Sequence, residues 1–379
     1  MIFTCFSALD VVCVTILTLC FSFQMWFVFG RVFRLSSFKT ETLKDNLFTP
    51  AVSVIICAKN EAENLKEFLP IVLTQDYPNF QVVVVNDSSE DESELLLAQL
   101  KSEYPHLYYT TIPIDKKFTH GKKLAISIGV KAAAHEYLVF TDADCKPASD
   151  KWLKTMVQGF ATEGKEIVVG FGAYTKQKGW INLLVRYDTF FTALQYMGFA
   201  LSGKPYMGVG RNLAYKKELF VKNNGMKNHA KILSGDDDLF VKETATKQNI
   251  SVVTNPEAHT ISTPHDTFKH WRLQKARHLT TAPYYKFSVK SELFLEPLSR
   301  EIFWLFVFYM IIFSNFAVVA VGFFIVNYLI KILVWQKAAQ KLSQGKLYWS
   351  LLVYDFIHPW ILLWAFLSNR IGTKNRKWK

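Results

Sequence analysis

Asp142 and Asp144 close the apolar run "VFTDADCKP". Two like charges one residue apart at a strand tip repel and lose hydration, so the pairing calls for something positive between them. Carboxylates held this way suit a hard divalent cation, Mg2+ or Mn2+, completed by water and substrate phosphates. Alone, the pair reads as solvated loop aspartates. Other polar clusters keep it company. "SGDDDLF" crowds Asp236, Asp237 and Asp238 at an expected helix start, beyond what an acidic first turn requires. One of the three, its pKa raised by its neighbours, is suited to be a general base. "GVGRNLAYKK" sets Gly208, Gly210 and Asn212 in a turn before a helix-like segment. "HWRLQKARH" supplies Trp271, Gln274, Arg277 and His278, with Trp271, Gln274 and His278 on one helical face. A basic helix lying on lipid headgroups is the competing reading of that segment.

The elements that must carry these residues alternate. "VSVIICA", "FQVVVVND", "LYYTTIPI" and "EYLVFTDAD" read as strands, and "KNEAENLKEFLPIVL", "SSEDESELLLAQLKSE" and "KKLAISIGVKAAA" between them read as helices. Ser88 or Ser89 is the expected N-cap of the second helix. Such alternation implies parallel strands buried on both faces, with ligands at their carboxyl ends. Those ends carry Ala58 to Glu61, Asn86 with Asp87, and Asp142 to Asp144, so three polar clusters converge on one crevice.

The chain of 379 residues is 50% hydrophobic, enough for more than one core. Val11 to Gly30 carry no charge, and about 20 residues cross a hydrocarbon core. No Lys or Arg precedes this run and no small-residue cleavage site follows it, so a transmembrane anchor is expected instead of a cleaved signal. Arg31, Arg34, Lys39 and Lys44 follow, which puts the N-terminus outside and the next segment in the cytoplasm. After Arg300 and Glu301 an uncharged run reaches Lys331, readable as one steeply tilted helix or as a hairpin turning near Ser314 and Asn315. A third stretch, "LYWSLLVYDFIHPWILLWAFLSN", contains Asp355, His358 and Pro359, the proline marking a kink or a re-entrant turn. The linker "QKAAQKLSQGK" and the tail "RIGTKNRKWK" are both basic and both belong in the cytoplasm, which one span between them cannot satisfy. Three or four membrane segments are expected in all.

The net charge of +12 does not point to nucleic acid. The basic residues flank apolar spans and form no recognition module, so attraction to an anionic inner leaflet accounts for them. Cys5, Cys13 and Cys20 lie in or beside the first apolar helix, and Cys57 and Cys145 fall in expected buried positions; no disulfide framework or zinc site emerges.

From Val52 to Thr280 the chain resembles glycosyltransferase family 2. The resemblance rests on "VSVIICAKNEAENL", "VVVVNDSSEDES", "GKKLAISIG", "FTDADCKP", "GVGRNLAYKK", "SGDDDLF" and "QKARH", in family order. It implies an α/β GT-A fold, a nucleotide-sugar-binding, Rossmann-like mixed sheet, with transmembrane helices on both sides. The implied organisation is an anchor at 1–34, a cytoplasmic catalytic domain at 49–299, two or three membrane segments at 300–369 and a basic tail at 370–379. The resemblance also implies that Ala58, Glu61 and Asp87 contact the base and ribose, that Lys122 lies near the nucleotide, and that Asp142 and Asp144 hold nucleotide and metal. It places Asn212 at the donor sugar, Asp237 as the base with Asp236 or Asp238 as substitutes, and Gln274 and Arg277 near the pyrophosphate.

The implied activity is a metal-dependent, inverting hexosyl transfer from a nucleotide sugar, with a UDP-sugar expected and GDP or dTDP donors open. The family motif ends in Trp where this chain has His278, a smaller platform that also titrates. That departure, with few membrane segments, favours a membrane-lipid or cell-envelope acceptor over processive polysaccharide synthesis. A catalytically silent membrane scaffold is the alternative of another class. The layout suits a bacterial inner membrane.

Overall fold

The computed structural model describes residues 7–39, 48–113, 121–230, 232, 234–265 and 267–371. Cys5, Lys44, Ile114 and the tail beyond Ile371 lie outside the described residues. The first long helix is α1 (Ala8–Phe27), continued by a π turn at Val28–Val32 into α2 (Phe33–Ser37). Ser7 and Asp10 cap its start reciprocally.

The globular part opens with β1 (Val52–Ala58), α3 (Ala62–Leu73), β2 (Phe80–Asp87), α4 (Ser93–Glu103), β3 (Leu107–Ile112), α5 (Lys122–Ala132) and β4 (Tyr137–Asp142). After it come β5 (Cys145–Pro147), α6 (Trp152–Val157), β6 (Ile167–Val169), β7 (Gly172–Tyr174), α7 (Trp180–Leu201), β8 (Leu213–Lys216), α8 (Lys217–Lys222), α9 (Asp238–Thr244), β9 (Ile250–Val252), β10 (Thr260–Ser262) and α10 (Phe268–His278). The expected strand–helix alternation holds, with two corrections. Ser88 and Ser89 do not cap α4; they stay in the preceding loop and Glu92 takes the N-cap position. The segment after Asn212 is first a strand, β8, because Leu213, Ala214 and Tyr215 pair with β4 and β6.

The main sheet has the order β3-β2-β1-β4-β8-β6-β9. Strands β3, β2, β1 and β4 run parallel, β8 pairs antiparallel with β4 and β6, and β9 returns parallel to β6. A smaller sheet, β5-β10-β7, lies beside it. Every residue of β1 is buried, as a strand covered on both faces must be. Val54 and Ile56 face one core with α3 and α6, while Ile55 and Cys57 face the other with α5 and α7. At about 1.5–3 kcal/mol for each fully buried Val or Ile, these alternating residues weld the sheet between its helices. On the second face Gly129 lets α5 approach closely, since a Cβ there would lie 2.7 Å from Ile55.

That second core continues without a break into the apolar helices: Phe27, Val32, Leu35, Trp335 and Leu351 belong to it. Past α10 come α11 (Phe287–Phe313), α12 (Ala317–Lys341) and α13 (Leu351–Ile371). The uncharged run after Glu301 is therefore a hairpin turning at Ser314 to Phe316, and the boundary expected at 299/300 falls inside α11. Pro359 sits within α13, which forms no re-entrant turn. Among the described residues three helices are long and apolar enough to cross a membrane, spanning Ala8–Ser37, Ala317–Lys341 and Gly345–Ser368. At one end of the bundle Ser314 donates to Asp10 at 2.6 Å. At the other, Arg31 forks onto Glu292 through two 2.9 Å bonds, and Lys204 of the globular part joins them at 2.7 Å.

Candidate active site

The strand order reverses between β1 and β4, and that switch point opens a crevice at the carboxyl ends. Register puts Ala58 beside Asn86 and Cys57 beside Asp142, so the three polar tips are neighbours on one sheet edge. Two loop residues there adopt left-handed backbone without being glycine, Asn60 (φ 53°) and Ser88 (φ 56°). Such strain persists where the surroundings enforce it. Here the loops are stapled to each other: Asn60 N–H donates to Ser89 Oγ and Glu90 N–H to Asn60 Oδ1, both at 2.8 Å.

Lys122 opens α5 and its ammonium bridges two aspartates, Asp142 at 2.7 Å and Asp236 at 3.2 Å. Burial works against that charge, but Asp142, Asp236 and Asp237 outweigh it and hold the lysine charged. Lys122, Asp142, Asp236 and Asp237 line one cavity with Cys57 and Gly210.

The run of three aspartates resolves into three environments. Asp236 is half-buried; desolvation works against its charge, but Lys122, with smaller help from Arg277, holds its carboxyl below the usual range. Asp237 takes the N-cap position of α9 and accepts 2.7 Å bonds from the N–H groups of Gly210 and Asp238. Burial first, then the charges of Asp236 and Asp238, push its pKa up to about 7. Asp238 turns into the core, where Tyr285 donates to it at 2.6 Å. Its carboxyl is also raised, chiefly by burial.

Beyond β4, burial and the charge of Asp142 raise the Asp144 carboxyl, while Arg211 and Lys122 oppose them. Asp142, Asp144 and Cys145 stand close enough together to share one ion. The donor chemistry narrows that set. The Cys145 thiol is pushed well up by burial and the two carboxylates, and its sulfur lies 2.8 Å from Ser262 Oγ. It stays protonated and donates to Asp144 at 3.2 Å. The two aspartates remain as hard oxygen donors, fitting Mg2+ or Mn2+ that takes its other ligands from water and phosphate.

Gln274 and Arg277 reach the same place on α10: Gln274 Nε2 lies 3.5 Å from the Tyr174 hydroxyl, and the Arg277 charge is felt at Asp236. His278 lies exposed to solvent at the end of α10, with Arg277 and Lys275 in the same last turn. Trp271, expected on the same face, is instead part of the core. Glu61 sits at the N-cap of α3, half-buried, whereas Ala58 and Asp87 are fully buried at their strand ends. Ala58 can offer a ligand only its backbone.

Asn212 requires a correction. It does not line the crevice, because its amide is consumed inside the protein: Oδ1 accepts from Trp152 Nε1 at 3.1 Å, and Nδ2 donates to Phe171 O at 3.0 Å and Ala258 O at 2.7 Å. The residue sequence reasoning missed is its neighbour Arg211. Its guanidinium lies over the Tyr174 ring at 4.4 Å, within electrostatic reach of Asp144 and Asp142, and its buried Nη1 has no hydrogen-bond partner among the described residues. A lone cation in the glycine turn "GVGRN", within a fold that must counter several aspartates, was the available signal.

The mixed sheet, its switch point and the acidic crevice define a GT-A fold. Residues 53–222 match the family model "Glycosyl transferase family 2". The chain is 32% identical over 201 residues to the glycosyltransferase AglE of Haloferax volcanii, covering 51% of this chain and 60% of that protein. It is 28% identical over 93 residues to a poly-beta-1,6-N-acetyl-D-glucosamine synthase of Staphylococcus epidermidis, covering 24% of this chain and 21% of the synthase. The matches thus span less than two thirds of these relatives' length. Among solved structures, the mannosyltransferase PcManGT from Pyrobaculum calidifontis, in complex with GDP-Man and Mn2+, superposes with a TM-score of 0.61 at 18% identity, covering 97% of this chain and 100% of that one. That likeness is one of fold.

Proposed function

We propose that this protein is an inverting glycosyltransferase that moves one sugar from a nucleotide diphosphate sugar, a UDP-sugar in the first instance, to a hydroxyl of a membrane-lipid or cell-envelope acceptor. The observation that carries the reading is the division of labour among carboxylates around one cavity. Asp142 and Asp236 are tied to Lys122, while Asp237 is half-buried with its pKa raised to about 7 and, among the described residues, no cation is bonded to it. A base for a hydroxyl nucleophile needs that poise.

In this reading Asp142 and Asp144 hold the divalent cation and the diphosphate, which they fit as a hard oxygen pair. When bound, the cation supplies positive charge to the departing diphosphate. Lys122 and Arg277 add fixed cations for the charge that develops there. Asp237 accepts the proton as the acceptor oxygen bonds to the anomeric carbon and the bond to the diphosphate breaks on the opposite face. No covalent enzyme intermediate forms, and the anomeric configuration inverts. Glu61 and Asp87, with the Ala58 backbone, face the nucleoside end, and Gln274 orients the diphosphate side. The globular part lies in the cytoplasm of a bacterial cell, and the apolar helices lie in its inner membrane.

The test is nucleoside diphosphate release from UDP-, GDP- and dTDP-sugars by detergent-solubilised protein, with Mn2+ or Mg2+ and with EDTA. Metal-dependent release from one donor, with weakened metal-dependent nucleotide binding in Asp144→Ala, is expected. Failure to bind any donor with Mn2+ present would sink the proposal in favour of a silent scaffold. A product ladder on a gel would point to a processive synthase, and a single added residue to the transfer proposed.

A further inference from the structure

Length and composition make α13 look like a membrane span, but its contacts follow a different path. Its first turns belong to the core of the globular part, where Leu351 is buried and Tyr354 stacks on Tyr187 of α7 at 4.9 Å. Midway, His358 Nε2 bonds Asp188 of α7 at 3.0 Å, and the same carboxylate holds Lys275 of α10 at 2.7 Å. At its far end the helix is again on the globular part. Trp364 stacks on Phe268 of α10 at 5.5 Å, Arg272 lies over the Trp364 ring at 4.9 Å, and Arg272 donates to Ser368 at 2.5 Å.

Both ends of a 21-residue helix thus touch the same domain. A spanning helix about 30 Å long would carry one end to the opposite surface. Among the described residues, the polar and aromatic contacts of α11 and α12 with α13 fall between Asp355 and Trp360. Asp355 takes Arg300 and Lys331, Phe356 packs on Trp304 and Phe308, and Trp360 donates to Glu301. The hairpin turn of α11 and α12 lies elsewhere, against Asp10.

The outward face of α13 is apolar. Val353, Ile357, Trp360, Leu363, Trp364 and Leu367 are each about half exposed and recur at helical spacing, while Asp355 and His358 point inward. Exposed lysines stand on the neighbouring segments: Lys346 just before the helix, Lys337 near the end of α12 and Lys269 on α10. We propose that α13 does not cross the bilayer but lies in its surface, with its apolar face in the acyl boundary and the flanking lysines on anionic headgroups. Indole rings and cations at one depth suit that boundary. This placement removes the conflict over the two basic segments. With α1 and α12 crossing, and α11 crossing beside α1 because it runs antiparallel to it from Glu292 at Arg31 to Ser314 at Asp10, the linker before α13 and the tail after it lie on the same side as Arg31, Arg34 and the globular part. It also sets α10, with Gln274 and Arg277, close to the membrane surface, since Phe268 and Arg272 pack on Trp364 of α13.

The test uses the full chain in membrane vesicles of both orientations. Lys346→Cys, a cysteine appended after Lys379, and Lys178→Cys in the globular part are labelled with a membrane-impermeant maleimide, and the parent signal is subtracted. All three labelling from one face is expected; the appended cysteine labelling from the other face overturns the proposal. A second measurement places nitroxides at Ile357→Cys and Leu363→Cys and reads their depth by collision with oxygen and a polar nickel chelate. An in-plane helix puts both at the same shallow depth, whereas an upright span separates them by about 9 Å. Immobilised labels shielded from both reagents would mean that a second protein surface covers this face, and would also overturn the proposal.

Discussion

Where α11, α12 and α13 meet, Arg300 and Lys331 face Glu296 and Asp355, two cations against two carboxylates, all buried. At the sheet's switch point the cavity is lined by three carboxylates, Asp142, Asp236 and Asp237, and one cation, Lys122. The first cluster is balanced within itself and Tyr328 completes it by donating to Asp355. In the second, Lys122 is the one cation lining the cavity among the described residues, and burial, then the like charges of Asp236 and Asp238, raise the pKa of Asp237. Buried charge that holds a fold together is paired, since an unpaired ion in a low dielectric costs several kcal/mol. Buried charge left unbalanced in a crevice marks a place where a ligand supplies the missing part.

Substituting one carboxylate in each cluster breaks this comparison most directly. Asp237→Asn keeps the side-chain shape and removes the proton acceptor. Turnover should fall on the order of 10² to 10⁴-fold, with donor binding nearly unchanged, as read by single-turnover kinetics and nucleotide titration. The substitution removes a charge held against its neighbours but also one of the two acceptors for the Gly210 and Asp238 N–H groups, so the melting temperature should change little. Unchanged turnover would remove Asp237 from the role of base.

The next effect is on stability and lies in the other cluster. Asp355→Asn leaves Arg300 and Lys331 with Glu296 as their remaining carboxylate, a deficit expected to cost about 3–5 kcal/mol. Thermal unfolding in detergent should show the loss, while the protein that stays folded binds donor as before. Adding Lys331→Met restores the balance and should recover part of the stability. An Asp355→Asn protein as stable as its parent would mean that the cluster is not the balanced unit described here.

The two clusters also differ in how far the sequence exposes them. The strand runs, their polar tips and Asp142 with Asp144 can be read directly, because β-branched apolar runs and abrupt polar ends are local signals. Lys122 is legible too, standing at the start of its helix. The division of labour among Asp236, Asp237 and Asp238 is not, since it depends on how the chain turns into α9 and on Gly210 and Tyr285, both distant in sequence. The exchange of Asn212 for Arg211 has the same cause: adjacent residues in a tight turn point opposite ways, and composition does not tell which faces the crevice. Asp355 and His358 look like interruptions of a span until Lys331 and Asp188 are placed beside them.

Acidity sharpens the comparison through a smaller effect. The Asp237 carboxyl sits near pH 7 in the folded protein, against an ordinary value of 3.8. The base is charged above pH 7, so turnover should fall as pH drops below it, approaching tenfold per unit. Stability moves the other way. Between pH 4 and 7 the folded chain binds at Asp237 a proton that the unfolded chain does not, so this group favours folding as pH is lowered through 7 and disfavours it above. Comparing parent and Asp237→Asn without donor isolates the contribution, because Asp144 and Asp238, also raised, remain in both. A difference in stability between the two that is flat across this range would mean that Asp237 is ionised throughout, and the crevice would then be as well balanced as the cluster at Asp355.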